Sequence, residues 1–334
     1  MRRSPRNAAS TQPKQDKSGG SGNTDRHRTA DHQWRSALAR MEGAYSANTI
    51  RSYRADFTIF EAWCREEYRS ALPATPETVA AFVLAQSESA APATVSRRRA
   101  AIAKIHRLLK LDSPVSTEEV NLATRTVFRQ KGRRQDQALG LTNTLKQKLI
   151  RTCPADLQGL RNRALIAVGY DTLCRRAELV QLQIGDLTIR SDGSGSILVR
   201  KSKADQLGSG RLAYLSAEAL AHLQRWLGVA SLNTGPLFRG IRGALLMPDA
   251  LHPYSVARIL KDLAHEAGLD KALVAKLSGH SMRVGAAQDM AAAGIDLGAI
   301  MHAGGWKSPD MVMRYIEHME VGKSGMAKLY SASR

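Results

Sequence analysis

Helical periodicity runs through most of this 334-residue chain and is interrupted by two segments of different character. Apolar residues recur at i+3 and i+4 spacing, the pattern of amphipathic helices. The first interruption, residues 129–138 (RQKGRRQDQA), is polar and basic and indicates a linker. The second, residues 187–215, has short strand-like runs separated by glycine-containing turns. These patterns predict a mainly α protein of two domains, an all-α N-terminal domain and an α-rich domain with a small antiparallel β-sheet.

The linker sets the predicted domain boundaries. Residues 1–33 contain almost nothing to bury and are rich in Ser, Gly and basic residues, which predicts a disordered basic tail. Residues 34–128 carry the apolar stripes of the helical domain, whose last helix begins near Ser116. The second domain is expected over residues 139–334, with helices on both sides of the β segment.

The charge of the chain points to a polyanion as its partner. The sequence has 49 Lys and Arg against 30 Asp and Glu, and of the formal charge of +19, +14 lies outside residues 1–35. The folded part is therefore itself basic, which favours double-stranded DNA as partner over an anionic membrane surface. Three consecutive arginines beside an apolar stripe favour phosphate contact. The predicted DNA-contacting residues are Arg51, Arg54, Arg97, Arg98, Arg99 and Lys104.

Other features of the composition narrow the class of protein. Hydrophobic residues make up 43%, enough for a core, yet no apolar run approaches the ~18 residues that cross a bilayer. The three cysteines, Cys64, Cys153 and Cys174, form no CxxC pair, so neither a disulfide framework nor a zinc site is predicted. The glycines near 193–210 match no nucleotide-binding pattern, so no cofactor is expected. A reducing cytoplasm fits these features.

Four segments of the second domain carry residues suited to phosphoryl transfer. Guanidinium groups stay charged and bind phosphate in a planar, bidentate way. A tyrosine hydroxyl, with an unperturbed pKa near ~10, loses its proton more easily than a serine hydroxyl. No carboxylate cluster for a two-metal site occurs in these segments, which disfavours metal-dependent transfer. The segments are LCRRAEL (173–179), RKSK (200–203), SGHSMRVGAA (278–287) and AGGW (303–306) with VMRYI (312–316).

Each of these residues alone has an ordinary structural explanation. His280 can cap a helix, Trp306 can belong to a core and Tyr315 can be a helix-surface residue. Only the combination of two arginines, a histidine and a tyrosine indicates catalysis on a phosphodiester. A mobile lysine in a hairpin would complete the set as general acid for the departing 5′ oxygen.

In residue identity and spacing, these segments resemble those of the tyrosine recombinases of the phage integrase family, and the resemblance covers roughly residues 40–330. The resemblance implies two domains forming a C-shaped clamp around DNA. It implies site-specific recombination through a 3′-phosphotyrosine intermediate and a Holliday junction, without ATP or an obligatory metal. It further implies a homotetramer on two inverted-repeat target sites, a monomer or weak oligomer off DNA, and a prokaryotic, DNA-associated protein. Whether accessory proteins take part stays open.

The resemblance assigns roles to seven residues. Tyr315 is the nucleophile, His280 handles protons and Lys203 protonates the leaving oxygen, with Lys201 as alternative because the turn register is open. Glu178 supports the site. Arg175, Arg283 and Trp306 bind the phosphate, Trp306 through its indole N–H.

One residue departs from the family pattern, and one residue and one segment keep two interpretations each. Arg176 falls on a normally apolar position of the family pattern. Cys174 is a small core residue or a reactive thiol. Residues Met326–Tyr330 form either an exchanged helix or a frayed end.

Other functions stay open at this point. A type IB topoisomerase-like enzyme would use the same residues to relax DNA without pairing two sites. A non-catalytic, sequence-specific DNA-binding protein accounts for the charge but not for the catalytic set. A membrane-surface protein accounts only for the basic tail.

Overall fold

The computed structural model describes residues 33–132, 137–200 and 210–317. Nearly all of the predicted tail, both Lys201 and Lys203, and the segment Met326–Tyr330 lie outside these residues. The chain divides into two compact units, Met1–Gln135 and Asp136–Arg334, each with its own hydrophobic core. Across the described ranges, no helix is both long and apolar enough to span a membrane.

The N-terminal unit has only helices as regular elements among its described residues, and two of these helices begin at caps that the sequence supplies. The hydroxyl of Ser46 accepts the N–H of Thr49, and the hydroxyl of Thr75 accepts that of Thr78. Pro76 follows in the first turn, where its fixed φ and missing N–H suit the start of a helix. The helices are α1 (33–39), α2 (Ala47–Glu66), α3 (Pro76–Gln86), α4 (Pro92–Leu108) and α5 (Glu118–Lys131).

Helix α5 continues to Lys131, three residues into the segment 129–138 predicted as linker. Lys131 Nζ donates to the carbonyl of Ala90, 3.2 Å away, which ties the last turn of α5 to the residues before α4. Gly132, with φ of 71°, ends the helix. A polar helix end of this kind has no apolar stripe and is therefore not distinguishable from a linker by its sequence pattern.

Aromatic rings at helical spacing fill the core of the N-terminal unit. Trp34, Phe57, Phe60 and Phe82 form a chain of edge-on contacts, with ring centroids 5.0, 5.7 and 5.0 Å apart. All four side chains are buried. Edge-to-face contacts add to the stabilisation that burial provides. The apolar stripe predicted for α2 is thus confirmed as the face that packs against α1 and α3.

The C-terminal unit combines helices with two small antiparallel sheets. One sheet has the order β1-β2-β3, and the other is the hairpin β4-β5. The helices are α6 (Asn143–Thr152), α7 (Leu157–Thr172), α8 (Arg176–Leu179), α9 (Ala217–Val229), α10 (Pro253–Glu266), α11 (Lys271–Lys276), α12 (Ser281–Ala292), α13 (Leu297–Gly304) and α14 (Pro309–Ile316). The strands are β1 (Leu187–Ile189), β2 (Gly195–Val199), β3 (Arg211–Leu215), β4 (Arg239–Arg242) and β5 (Leu245–Ala250).

The sequence patterns do not predict the hairpin β4-β5 or the short helices α8 and α11. Neither strand of the hairpin has a buried face, so the alternation that marks a half-buried strand is missing. Helices of four and six residues are shorter than the window in which helical periodicity can be recognised. The three-stranded sheet, by contrast, lies where the sequence places it.

Helix α7 runs through the main core of the C-terminal unit and is buried on most of its surface. Gly169 allows α12 to approach closely, because a Cβ there would lie 2.6 Å from the sulfur of Met282. A second, smaller cluster of buried apolar residues joins the end of α7 to α12, α13 and α14. Its members are Leu173, Ala286, Ala287, Ile300, Trp306 and Val312.

Candidate active site

Three of the four segments predicted to carry catalysis meet in the C-terminal unit around the guanidinium of Arg283. Arg283 lies in the first turn of α12 and is 1% exposed. Its Nη1 donates to the carbonyl of Leu173, at the end of α7, and to that of Gly304, 2.8 Å away at the end of α13. One side chain therefore joins the segments that carry Arg175 and Trp306.

A second nitrogen of Arg283 is unused. Nη2 is buried and has no hydrogen-bond partner among the described residues. The guanidinium carbon lies 3.8 Å from the centroid of the Trp306 ring, which fixes the plane of the group. Burial, and then the charge of Arg175, lowers the pKa of Arg283 to about 10, so the group stays positive at neutral pH. A buried cation with an unused N–H is suited to bind a phosphate oxygen.

Arg175, just before α8, is oriented by Glu178. Arg175 Nη1 donates to Glu178 Oε1 at 2.7 Å, and its backbone N–H donates to Oε2 at 3.0 Å. The Glu178 side chain is nearly buried, whereas the Arg175 side chain remains 24% exposed. The carboxylate thus holds the arginine in one orientation and leaves part of the guanidinium accessible. This geometry suits the supporting role predicted for Glu178.

His280, at the start of α12, is surrounded by positive charge. Burial, and then the charges of Arg176, Arg283 and Arg175, lowers the pKa of His280 below its usual value, while Glu178 opposes the shift. At neutral pH the imidazole is therefore uncharged and able to accept a proton.

The rings of Trp306 and Tyr315 lie in contact with each other, beside Arg283. Their ring centroids are 6.0 Å apart in an edge-on arrangement. Trp306 is 8% exposed, and its ring face covers Arg283, so it is both a core residue and part of the site. Tyr315 is half-buried in the last turn of α14.

Two glutamines fix the backbone at Tyr315. The carbonyl of Tyr315 accepts hydrogen bonds from Gln288 Nε2 at 3.0 Å and from Gln137 Nε2 at 3.1 Å. Last-turn carbonyls of a helix lack partners inside the helix, so these bonds satisfy one of them. Neither glutamine has a local sequence signal. Gln288 lies 27 positions before Tyr315 and Gln137 lies 178 positions before it, and Gln288 is not at the i+3 or i+4 spacing that would place it beside Arg283 on α12.

Close packing and backbone conformation explain why the AGGW and SGHSMRVGAA segments contain glycines. A Cβ on Gly304 would lie 2.0 Å from Cζ3 of Trp306, so only glycine leaves room for the ring. Gly305 has φ of 64°, which ends α13 in the left-handed conformation. A Cβ on Gly285 would lie 2.0 Å from the carbonyl oxygen of Leu141, so α12 packs directly on that backbone.

Arg200 is the last described residue before the segment that contains Lys201 and Lys203. Its Nε lies 2.8 Å from the carboxylate of Asp186, so its charge is paired. The two lysines lie outside the described residues, and the choice between them as general acid stays a prediction.

Cys174 belongs to the core of the C-terminal unit. It is 1% exposed, and burial raises the pKa of its thiol. A thiol of raised pKa is a poor nucleophile. Of the two interpretations of Cys174, the structure supports the core residue. Elsewhere in the described ranges, no group of three or more His, Cys, Asp or Glu side chains is placed to hold a metal ion.

In the N-terminal unit, part of the predicted basic surface has internal partners. Arg97 donates through Nε and Nη2 to the two carboxylate oxygens of buried Asp56, at 2.6 and 2.9 Å. Arg99 donates to Asn121 and Thr124 on α5. These two arginines therefore hold helices together.

The remaining candidates in this unit differ in exposure. The Arg98 side chain is only 15% exposed and lies 3.9 Å from Asp56. Lys104 donates to the hydroxyl of Tyr45 at 3.0 Å. Arg51 and Arg54, on α2, are exposed, although Arg51 also contacts Asn48. Arg51 and Arg54 are the members of the set best placed to meet a phosphate backbone.

The sequence analysis missed the partners of two further arginines near the site. The guanidinium of Arg176 lies over the Tyr254 ring, 4.7 Å from its centroid, which explains how a cation replaces the usual apolar residue. Arg211, the first residue of β3, donates to the carbonyls of Thr172 and Ala303. Neither arginine has a local sequence signal for its partners, because Tyr254, Thr172 and Ala303 are all distant from it in the chain.

Two family models match the chain. The model of the phage integrase family matches residues 140–320, and that of the phage integrase N-terminal SAM-like domain matches residues 33–112. The chain belongs to the phage integrase family, and the predicted resemblance to that family is confirmed.

Relatives extend the similarity over both units. A protein named integrase/recombinase xerD homolog from Selenomonas ruminantium is 35% identical over 307 residues, 88% of this chain and 89% of the relative. The recombinase cre of Escherichia phage P1 is 29% identical over 315 residues, 87% of this chain and 90% of the relative.

Solved structures share the fold at lower identity. The Tn1549 transposon integrase, in complex with transposon right end DNA, has a TM-score of 0.66 at 14% identity and covers 90% of this chain and 99% of its own. The XerH site-specific recombinase, bound to palindromic difH substrate after cleavage, has a TM-score of 0.62 at 20% identity, with coverages of 85% and 78%. The predicted fold class, mainly α with small antiparallel sheets, is confirmed.

Proposed function

We propose that this chain is a site-specific DNA recombinase that cleaves and rejoins DNA strands through Tyr315. The observation that carries the proposal is the buried guanidinium of Arg283, whose Nη2 is unused, in one cluster with Arg175, Trp306 and Tyr315. Burying such a cation is costly unless an anion completes its partners. A scissile phosphate next to a tyrosine hydroxyl meets that requirement.

In the cleavage step, Tyr315 Oη attacks the phosphorus, and the bond between phosphorus and the 5′ oxygen breaks. The products are a 3′-phosphotyrosine link and a free 5′-hydroxyl. Arg175, Arg283 and the indole N–H of Trp306 hold the non-bridging oxygens as their charge increases. One phosphodiester replaces another, so the bond energy is kept and the 5′-hydroxyl of a partner strand can reverse the step without ATP.

Two groups move protons in this scheme. His280, uncharged at neutral pH, accepts the proton that leaves Tyr315. Lys203, or Lys201 in the alternative register, protonates the departing 5′ oxygen. Since the arginines supply the positive charge at the phosphate, the scheme needs no obligatory metal ion.

The proposal extends to the assembly that exchanges strands. Double-stranded DNA with an inverted-repeat target site binds a homotetramer on two sites, and strands pass through a Holliday junction. The palindromic substrate in the XerH structure supports an inverted-repeat target site. Residues Met326–Tyr330 are proposed as the exchanged helix. The three free, buried cysteines suit a reducing, prokaryotic cytoplasm.

Covalent capture tests the catalytic proposal. Purified protein is mixed with sheared DNA of its source in EDTA and quenched with SDS, and protein-linked fragments are sequenced beside a Tyr315→Phe control. We expect enriched fragments that share one site and vanish in the Phe variant. Equal retention of DNA by both proteins before SDS, with no linked fragments after it, would instead indicate a non-catalytic DNA-binding protein.

A second assay separates recombination from topoisomerase-like relaxation. The captured site is placed once or twice in a supercoiled plasmid. A recombinase yields deletion or inversion products only from the plasmid with two sites. Relaxation of a plasmid that lacks the site, with no rearranged product from two sites, would contradict the proposal.

A further inference from the structure

Arg211 opens β3 and lies outside the seven residues assigned to catalysis. Its Nη1 donates to the carbonyl of Ala303 at 3.0 Å, and its Nη2 donates to the carbonyl of Thr172 at 2.7 Å. Nη2 also lies 3.7 Å from the sulfur of Cys174. A single side chain of the sheet therefore contacts the ends of α7 and α13.

Arg211 repeats the bonds of Arg283 one residue earlier on each helix. Arg283 Nη1 binds the carbonyls of Leu173 and Gly304, and Arg211 binds those of Thr172 and Ala303. The last carbonyls of a helix have no intrahelical partner, and a cation at that end is favourable. Two arginines thus satisfy the carboxyl ends of two helices at once.

Both helices end within three residues of a residue of the site. α7 ends at Thr172 and is capped by Leu173, whose φ of 51° is unfavourable for a side chain with a Cβ, and Arg175 lies two residues after this cap. α13 ends at Gly304 and is capped by Gly305, and Trp306 directly follows that cap. A Cβ on Gly305 would lie 2.9 Å from Cδ of Arg211, so the stem of the arginine packs on this turn.

We propose that Arg211 is a positioning residue of the cleavage reaction, which holds the ends of α7 and α13 together so that Arg175 and Trp306 address the same phosphate. The inference rests on the proposed recombinase function. Arg211 acts through the backbone at Thr172 and Ala303, and it makes no contact with the reacting atoms.

The test compares Arg211→Met with a matched control, Arg163→Met. Arg163 on α7 also donates to two carbonyls at a helix end, those of Ile150 and Cys153 beside the end of α6. It lies nine residues before Thr172, roughly 13 Å along the helix. Both substitutions remove the same side chain and two backbone contacts, but only one does so at the site.

Single-turnover cleavage of the captured site, DNA affinity and the melting temperature are measured for each protein. We expect Arg211→Met to lower the cleavage rate about 100-fold, since small misplacements of catalytic groups have effects of that size. DNA affinity and its salt dependence should stay as in the wild type. Arg163→Met should lower the melting temperature with cleavage unchanged. Arg211→Lys, which keeps the charge and one donor to the carbonyls, should cleave at an intermediate rate.

A double-mutant cycle with Trp306→Phe distinguishes positioning from general destabilisation. If Arg211 acts through Trp306, the combined loss of rate is smaller than the product of the single losses. Arg211→Lys replaces Arg211→Met in the cycle if the Met variant does not fold. Independent effects in the cycle, or a smaller salt dependence of DNA binding, would overturn the inference. Failure of the wild type to form a covalent complex would instead refute the proposed function.

Discussion

At the scale of single residues, the arginines of the site differ in how many of their donors the fold already uses. Both terminal nitrogens of Arg211 donate to backbone carbonyls, and one terminal nitrogen of Arg175 donates to Glu178. Arg283 divides its donors, with Nη1 on two carbonyls and Nη2 without a partner in the described part of the chain. Arg283 is therefore at once part of the scaffold and part of the phosphate site.

The two roles of Arg283 predict the result of Arg283→Lys. An ammonium group cannot reach both carbonyls and a phosphate oxygen in one plane. We expect single-turnover cleavage to fall by about 100- to 1,000-fold, the usual effect of losing one transition-state donor. The melting temperature should also fall, since two helix ends lose a partner. Wild-type cleavage by Arg283→Lys would show that Nη2 does not bind the phosphate.

The charges around His280 predict a pH effect. Cleavage should decline as the pH falls through the folded pKa of His280, because the imidazolium cannot accept the Tyr315 proton. Among the nearby charges, that of Arg176 lowers the pKa of His280 most. Arg176→Leu therefore raises this pKa, and the acid limb of the pH–rate profile should move to higher pH. The control is Arg225→Leu, on α9. An acid limb that stays in place in Arg176→Leu would show that another group controls this limb.

At the scale of secondary-structure elements, small residues and buried polar groups decide how segments approach one another. Gly304 makes room for the Trp306 ring, and Gly285 lets α12 rest on the backbone of Leu141. In the N-terminal unit, His106 Nδ1 donates to the carbonyl of Ile102, because its Nε2 accepts the backbone N–H of Ala74. Both arrangements lead to measurable consequences.

Gly304→Ala should lower the cleavage rate by displacing the Trp306 ring. The added methyl group displaces the Trp306 ring and with it the plane of Arg283, so we expect cleavage to fall at least 10-fold, again through misplacement. Gly228→Ala, in α9, meets no atom within 4 Å and should raise the free energy of unfolding by about 0.5–1 kcal/mol. Full activity in Gly304→Ala would mean that the ring position is unimportant.

His106 predicts that the N-terminal unit loses stability in acid. Burial lowers the pKa of His106, so below about pH 6.5 the unfolded chain binds a proton that the folded unit does not accept. The free energy of unfolding should therefore decrease as the pH falls from 6.5 toward the folded pKa. Denaturant titrations at pH 7 and pH 5 would measure this, and His106→Gln should reduce the difference. An unchanged difference would assign the effect to other groups.

At the scale of the whole molecule, the net charge of +19 divides into cations that hold the fold and cations that face solvent. Arg97→Ala removes the bidentate partner of buried Asp56. We expect the N-terminal unit to lose about 1–3 kcal/mol, because the Arg97 side chain is 53% exposed and Arg98 still lies 3.9 Å from the carboxylate. Arg54→Ala should leave stability unchanged and reduce the salt slope of DNA binding by about 1, the mark of one lost phosphate contact. The opposite pattern would reverse the assignment of the two arginines.

The sequence by itself determined the mainly α two-domain fold, the place of the three-stranded sheet and the family to which the chain belongs. These features rest on local signals, namely helical spacing, caps such as Thr75 and turn glycines, or on motifs read as continuous strings. The sequence does not predict elements without a local signal, such as the exposed hairpin Arg239–Ala250 and the helix of residues 271–276.

Only the tertiary structure decided which side chains come together at the site and which basic residues are bound to partners within the protein. Arg97 meets Asp56 41 positions away, Arg211 meets Ala303 92 positions away, and Arg283 meets Leu173 110 positions away. Burial and hydrogen bonding depend on which segments come together in space. No local pattern encodes that, because an arginine bound to a carbonyl and an arginine facing solvent look the same in sequence.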